Sequence, residues 1–405
     1  MKRLILCTCL LVALCAHAQQ LSLSLRISNP WPRERQYVPV VVPLMEVDAL
    51  DFDVRSARVE GGVPCQLDDM DGDGVADELV LLLDMPAEQE RTLTVVLSAE
   101  PAQEASEPLV YADMMLADKK GKLPLITALE APGSSYVYSD LHHHGPAFES
   151  ELTAYRIYFD HRQNIDIYGK RQRRLELSAT HFYPTAAQLA EGYGNDVLWA
   201  GSSIACGSLK LWDGSAPADW REVDKRMERI VSSGPLRTVV EVADIGVLNG
   251  NTISTYYLLY GGHRDVEVVV HSRLPLPAES LCTGVQKVNP PTARYLLDTP
   301  AGLAASWGSD YPEQSSQANK DLFPPEAVGL AVYVPESSRG QAVDSPLNAL
   351  FTLSGEGELR YYISFCADKE ESGFHSADQW FASLPEWIAQ IEEPIRIEVD
   401  EAEEE

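Results

Sequence analysis

Apolar and polar positions alternate along most of this chain, through 21–27, 37–44, 52–59, 78–83 and 91–97, with turn residues such as Asn29-Pro30 and Gly61-Gly62 between the runs. A period of two places successive side chains on opposite faces. These short runs therefore predict a small antiparallel β-sandwich over residues 19–98. A Pro-, Ala- and Glu-rich linker at 99–108 and an irregular stretch to 140 follow. Alternation then resumes through 175–182, 237–248, 252–260, 266–274, 281–288, 329–334, 349–353 and 359–365. Asn249-Gly250 and Gly261-Gly262 mark tight hairpin turns in that series. The whole reads as an all-β chain with a second, larger antiparallel sandwich over 141–368. Residues 369–405 predict one amphipathic helix capped by Ser376, with Trp380, Phe381, Leu384, Trp387, Ile388 and Ile391 inward. A brief strand and an acidic tail close the chain.

One segment of the larger unit departs from simple amphipathicity. In 154–170, Arg156, Tyr158 and Asp160 share one face, and Asn164, Asp166, Tyr168 and Lys170 share one face of the following run. With a turn at 161–163, an antiparallel hairpin sets Asp160 opposite Asn164, Tyr158 opposite Asp166 and Arg156 opposite Tyr168. A solvated sheet face is usually rich in Ser, Thr, Lys and Glu. Mixed-sign charges interleaved with tyrosines instead predict the floor of a ligand cleft.

Two loops carry further chemistry. Asp69, Asp71, Asp73 and Asp77, with the backbone carbonyl of Val75, recur at the spacing that wraps oxygen ligands around a hard cation, and Gly72 and Gly74 let the chain curl. Strand-like runs on both sides predict a calcium-binding β-hairpin loop rather than an EF-hand, with Ca2+ in a structural role. Immediately before the hairpin, His142, His143 and His144 precede Glu149 and Glu151. In extended geometry His142 and His144 project together, a spacing suited first to hydrogen bonding or acid/base work and second to a metal. His181 ends the run at 175–182, in line with its inward row.

Composition narrows the partners. With 32 basic against 61 acidic residues the net charge is -29, which disfavours a nucleic-acid backbone. An acidic ligand would need a local basic pocket, for which Arg156, Arg162 and Lys170 are candidates. Residues 1–18 have the basic start, apolar run and small-residue end of a cleaved export signal, predicting a periplasmic or extracellular protein. No later apolar run is long enough for a membrane span. Cys65, Cys206, Cys282 and Cys366 remain after the signal, widely spaced and with no CxxC, and read first as small buried hydrophobes.

The segments 142–151, 155–170 and 69–78, with Gly234-Pro235-Leu236-Arg237, resemble the secreted family catalogued as domain of unknown function 4861. That resemblance implies a galactose-mutarotase-like β-supersandwich for the larger unit, and a setting in polysaccharide degradation beside uronic-acid-processing enzymes. The expectation is an exported carbohydrate-active protein whose ligand is an acidic glycan cleaved by β-elimination. Arg156 or Arg162 would hold the sugar carboxylate. Tyr158 or Tyr168 would act as base, favoured as phenolate by Lys170, and His144 as acid or alternative base. His142, Glu149, Glu151, Asp160, Arg162, Asn164 and His181 would contact substrate. Asp160, Asp166, Glu149 and Glu151 equally offer carboxylate pairs for a glycoside hydrolase. An epimerase and a non-catalytic glycan-binding protein, with Tyr158, Tyr168 and Trp199 stacking on sugars, complete the alternatives.

Overall fold

A computed structural model describes residues 19–101, 106–117, 120–290, 292–314, 316–355 and 357–401. The expected export signal, part of the 99–108 linker and the end of the acidic tail lie outside the described residues.

The first sandwich pairs a three-stranded sheet (Arg35–Pro43, Glu78–Met85, Cys65–Asp68) with a four-stranded one. The order of the latter is Arg396–Glu401, Gln20–Ser28, Glu90–Ser98, Ser56–Val59, so the last strand of the chain completes the first unit. Leu23, Leu25, Ile27, Val40, Leu79, Leu81 and Val95 fill its interior. Strand Glu78–Met85 is apolar on both faces for a reason. Val80 and Leu82 point away from that core and pack against Leu236, Val239, Leu258 and Val269 of the larger unit.

The larger unit is a supersandwich. A nine-stranded antiparallel sheet runs from Arg294–Asp298 through Leu303–Asp310, Glu326–Tyr333, Leu359–Ala367, Val266–Ser272, Asn251–Tyr260, Arg237–Gly246 and Lys225–Ser233 to Ala128–Pro132. Two five-stranded sheets share its core. One is built around Leu281–Gln286 and Asn348–Leu353, the other around the hairpin Thr153–Ile157 and Ile165–Gly169. Tyr155, Ile157, Ile165 and Ile167 of the hairpin meet Val240, Tyr257, Leu259 and Val268 of the large sheet in one continuous interior with Leu281, Val285 and Phe351. Helix Ala377–Glu392 is capped by Ser376, whose hydroxyl accepts from the Gln379 N–H at 3.3 Å, and buries Trp380 and Leu384 against Ala305 and Ala331.

Several local expectations change. Strands Lys225–Ser233, Arg294–Asp298, Leu303–Asp310 and Arg339–Asp344 join the predicted set, and Val110–Asp113 and Ala128–Pro132 edge sheets within a stretch read as irregular. The run 175–182 is not a strand: Leu177–Thr180 forms one helical turn, and His181 and Phe182 follow with φ of 48° and 69°. The cause is Glu149, whose buried carboxylate accepts the N–H groups of Glu176 and Leu177, both at 2.8 Å, and fixes the chain in a turn. The four cysteines are unpaired, and Cys206, Cys282 and Cys366 are buried.

Candidate functional site

The hairpin forms with its register displaced from the expected one. Arg156 lies opposite Asp166 and Ala154 opposite Tyr168, while the Tyr158 N–H reaches the Asn164 carbonyl at 3.1 Å. A shift of an even number of residues keeps every side chain on its face. The polar row survives, but its partners change.

That row splits in two. At one end Tyr168 is buried under Leu177 and Phe182, and its hydroxyl donates to Glu176 at 3.0 Å. Lys170 is equally buried, bound to Glu149 and donating to the carbonyls of Ser150 and Arg174 at 2.6 and 2.8 Å. Glu151 sits nearby, half-buried, held by Arg173 at 2.7 Å and by the Gly262 N–H at 3.0 Å. Here Tyr168, Lys170 and Glu149 are sealed from solvent and wholly engaged with the protein.

At the other end Arg156, Tyr158 and Asp166 form a triangle of hydrogen bonds. Arg156 also donates to Tyr183 at 2.9 Å and approaches Asp196 at 3.5 Å. Its guanidinium lies 4.1 Å from the Phe182 ring centre, and the residue is only 2% exposed. An arginine so enclosed orients its neighbours and cannot also clamp a substrate carboxylate. Burial, then the Asp166 charge, pushes the Tyr158 phenol far above its ordinary range. Burial, then Glu176, does the same to Tyr168. Both shifts oppose a tyrosinate base, and Lys170, committed to Glu149, does not reverse either.

The histidine loop crosses this open end. Gly145 lets it do so, because a Cβ there would collide with the Ile157 carbonyl. His144 has φ of 71° and lies parallel to Tyr138, with ring centres 3.8 Å apart. Its Nδ1 is 2.9 Å from the Tyr138 carbonyl, which only accepts, so Nδ1 carries the proton and Nε2 is the acceptor. Burial lowers the His144 pKa, favouring this neutral form. His142 lies 5.7 Å from Tyr183 and 6.1 Å from His181, whose buried Nδ1 has no partner. His143 turns the other way, into the interior, and pairs with Asp113 at 2.9 Å. Asp196 is pushed well above the ordinary carboxylate range by burial first and the Asp166 charge second.

Arg162 links this cluster to a cavity. Bound to Asp160 through Nε at 2.7 Å, it sits 5.3 Å from the Tyr138 ring centre and 5.2 Å from that of Tyr158. It also lines a cleft of about 800 Å³ with Asn164, Lys210, Trp212, Asp219 and Arg221. The charged lining is three cations, Arg162, Lys210 and Arg221, against one carboxylate, Asp219. The side-chain oxygen of Asn164 is buried without a partner. Thus His144, Tyr158, Arg156, Asp166, Arg162, Asp160, Asn164, His142 and His181 gather around the open end, and Tyr168, Lys170, Glu149 and Glu151 do not. Tyr138, Tyr183, Asp196 and Lys210 were not singled out from sequence. The first two stand beside the histidines and could have been; nothing local marks the others.

In the acidic loop, ligand oxygens of Asp69, Asp71 and Asp77 lie within 4.8 Å of one another. Asp73 stands outside that group, and its carboxylate accepts from the Val75 N–H at 2.8 Å. Gly72 has φ of 86°, and a Cβ there would stand 2.7 Å from Arg229 Nη1. That arginine holds the carbonyls of Met70 and Asp71 at 2.9 and 3.2 Å, tying the loop to the large sheet. The donor set is hard and anionic, as Ca2+ requires.

Among the described residues no helix is long and apolar enough to cross a membrane. No curated protein matches the sequence. The solved structures similar to it include an alpha-mannosidase from Enterococcus faecalis V583 (TM-score 0.44, 9% identity, 95% of this chain and 46% of that one) and a protein in the glycosyl hydrolase family 38 from Enterococcus faecalis (TM-score 0.43, 9% identity, 95% and 48%). The chain spans less than half the length of either. The family model described as Domain of unknown function (DUF4861) matches residues 27–397, and the chain belongs to that family.

Proposed function

We propose that the protein is an exported carbohydrate-active enzyme that cleaves a uronic-acid-containing glycan by β-elimination. One observation carries the choice of ligand. On a chain of net charge -29, the cleft beside the histidine–tyrosine cluster is lined by three cations and one carboxylate, and counting Asp160, which Arg162 binds, still leaves one positive charge in excess. Such a local inversion of sign favours an anionic ligand. Arg162 and Arg221 would face the sugar carboxylate and withdraw charge from it. His144 Nε2 would take the proton from the carbon α to that carboxylate. The electron pair left behind forms the carbon–carbon double bond as the glycosidic carbon–oxygen bond breaks. Tyr158, kept as a phenol by burial and by Asp166, would give its proton to the leaving oxygen. Arg156 and Asp166 hold that phenol in place.

The test is a panel of uronic-acid oligosaccharides incubated with the protein lacking residues 1–18. Elimination yields an unsaturated sugar that absorbs in the short-wavelength ultraviolet; the reading fails if the panel gives no such product. A hydrolase is the second reading, favoured by Asp166 and Asp196 meeting on one Arg156 nitrogen while the Asp196 pKa is raised. New reducing ends without ultraviolet absorbance, abolished by Asp196→Asn, would select it. Binding without any product would select the non-catalytic glycan-binding protein. For the acidic loop we propose a structural Ca2+ held by Asp69, Asp71 and Asp77 with the Val75 carbonyl. Its test is a fall in Tm with chelator that Ca2+ reverses.

A further inference from the structure

Four aromatic side chains stand out for their exposure among the described residues: Tyr136 at 63%, Tyr183 and Tyr295 at 43% each, and Trp199 at 41%. They are not scattered. Tyr136 lies 5.8 Å from Tyr138, the ring that stacks on His144. Tyr183 accepts from Arg156. Trp199 covers Gly201 on the cleft wall, with its indole nitrogen 3.3 Å from where a Cβ of that glycine would be. Tyr295 donates to Asp344 at 3.1 Å, between the cleft residues Val343 and Ser345, and Lys287 rests over its ring at 3.7 Å. Exposed aromatic faces are costly in water, and their collection around one site marks a surface made to be covered.

Resting on the acidic-glycan reading above, we infer that the substrate is a polymer bound along several successive sugar rings. Tyr136 stands beside Tyr138, whose ring centre is 5.3 Å from the Arg162 guanidinium, while Trp199 stands against the cleft glycine Gly201 and Tyr295 against Asp344 beside the cleft residues Val343 and Ser345. A site for a terminal sugar would need one enclosed pocket and gain nothing from exposed rings outside it. A site for an internal stretch needs flat apolar faces in series, because pyranose rings present C–H faces to aromatics while their edges hydrogen-bond. The cleft itself, at about 800 Å³, is near the upper end for single-ligand sites, about 300–1,000 Å³.

Calorimetric titration with trimeric and octameric oligogalacturonate tests this directly. The octamer is expected to bind at least about ten-fold tighter than the trimer. Tyr136→Ala, Trp199→Ala and Tyr295→Ala should each weaken octamer binding about three- to ten-fold, as expected when one stacked ring is lost. Met45→Ala, exposed on the first sandwich, serves as the control for a general surface effect. Equal affinity for the two lengths, or platform variants indistinguishable from the control, overturns the extended-substrate inference and leaves the acidic-glycan reading standing. Failure of both lengths to bind counts against the acidic-glycan reading itself and takes the inference with it. Length-dependent binding without product supports the inference while refuting the lyase.

Discussion

The outer face of the hairpin, with the neighbouring strand Ala147–Ser150, carries nearly the same residue types at its two ends, a tyrosine, a cation and a carboxylate, yet the ends have opposite fates. At one, Tyr168, Lys170 and Glu149 are roofed by Leu177 and Phe182 and spend their hydrogen bonds on protein groups. At the other, Arg156 is buried but Tyr158, His144 and Arg162 keep part of their surface open beside a cleft. Similar chemistry is scaffolding where every polar group is covered and a candidate site where some keep open surface. What decides is the single helical turn Leu177–Thr180, and that turn exists because Glu149 caps it.

The largest expected effect comes from breaking the sealed end. Lys170→Met strands the buried Glu149 carboxylate, so stability should fall by about 3–5 kcal/mol, the usual cost of removing one partner of a buried pair. Urea denaturation measures it. A loss below about 1 kcal/mol would mean that the roof admits water and that the two ends are not distinct.

At the open end the large effect should appear in turnover instead. His144→Gln removes the only proposed base and should lower kcat by about 10²–10⁴-fold. The same base sets a pH limb. Because burial holds the His144 pKa below the usual imidazole value, the active neutral form persists at neutral pH. Activity should fall only as pH drops through that lowered value. A profile that instead declines as pH rises through 7 would contradict the assignment. Tyr158→Phe should cut turnover similarly, and should do so at every pH.

Much of this contrast was already readable in the residues. The alternation at 154–170 places Arg156, Tyr158, Asp166 and Tyr168 on one side of a hairpin, and face membership survives an even register shift, which is why the polar row was found although its pairing was not. The roof was not readable. A pattern of Leu175, Leu177 and Ala179 satisfies a strand, and only a carboxylate brought from Glu149 turns it into a helical cap. Lys210 and Asp196 were hidden for a related reason. Lys210 reaches the site from a three-residue strand on another sheet and Asp196 from a two-residue strand at the edge of the hairpin's own sheet, and strands so short carry no periodicity that announces the approach.

A third buried carboxylate sharpens the comparison. Glu228 is fully buried like Glu149, but neither of its oxygens has a hydrogen-bond partner. Burial pushes its pKa well above the ordinary range, Arg226 opposes that shift, and the charges of Asp160 and Asp244 add to it. A carboxyl whose folded pKa exceeds its unfolded one permits full stability below about pH 4.3. That stability is lost as pH rises towards the folded value. Glu228→Gln should therefore stabilise the protein by about 1–3 kcal/mol at pH 8 and flatten the dependence of Tm on pH. Burial raises the Glu149 pKa as well, against the opposing Lys170 charge, but Glu149 accepts from two N–H groups and Lys170, so Glu149→Gln should destabilise the protein.

The smallest effect is the most discriminating, since it makes the same chemical change at the sealed end that Tyr158→Phe makes at the open one. Tyr168→Phe deletes a hydroxyl that donates to Glu176, but Glu176 still accepts from the Gly194 N–H at 2.8 Å and from Arg174 at 2.9 Å. The carboxylate keeps enough partners that the cost should be about 1 kcal/mol, with turnover per folded molecule unchanged. The ring contact with Phe182, centres 5.4 Å apart, is preserved in the variant and keeps the roof in place. Turnover lost to the extent seen for Tyr158→Phe would place Tyr168 in contact with substrate, and the roof over it would have to open during the reaction.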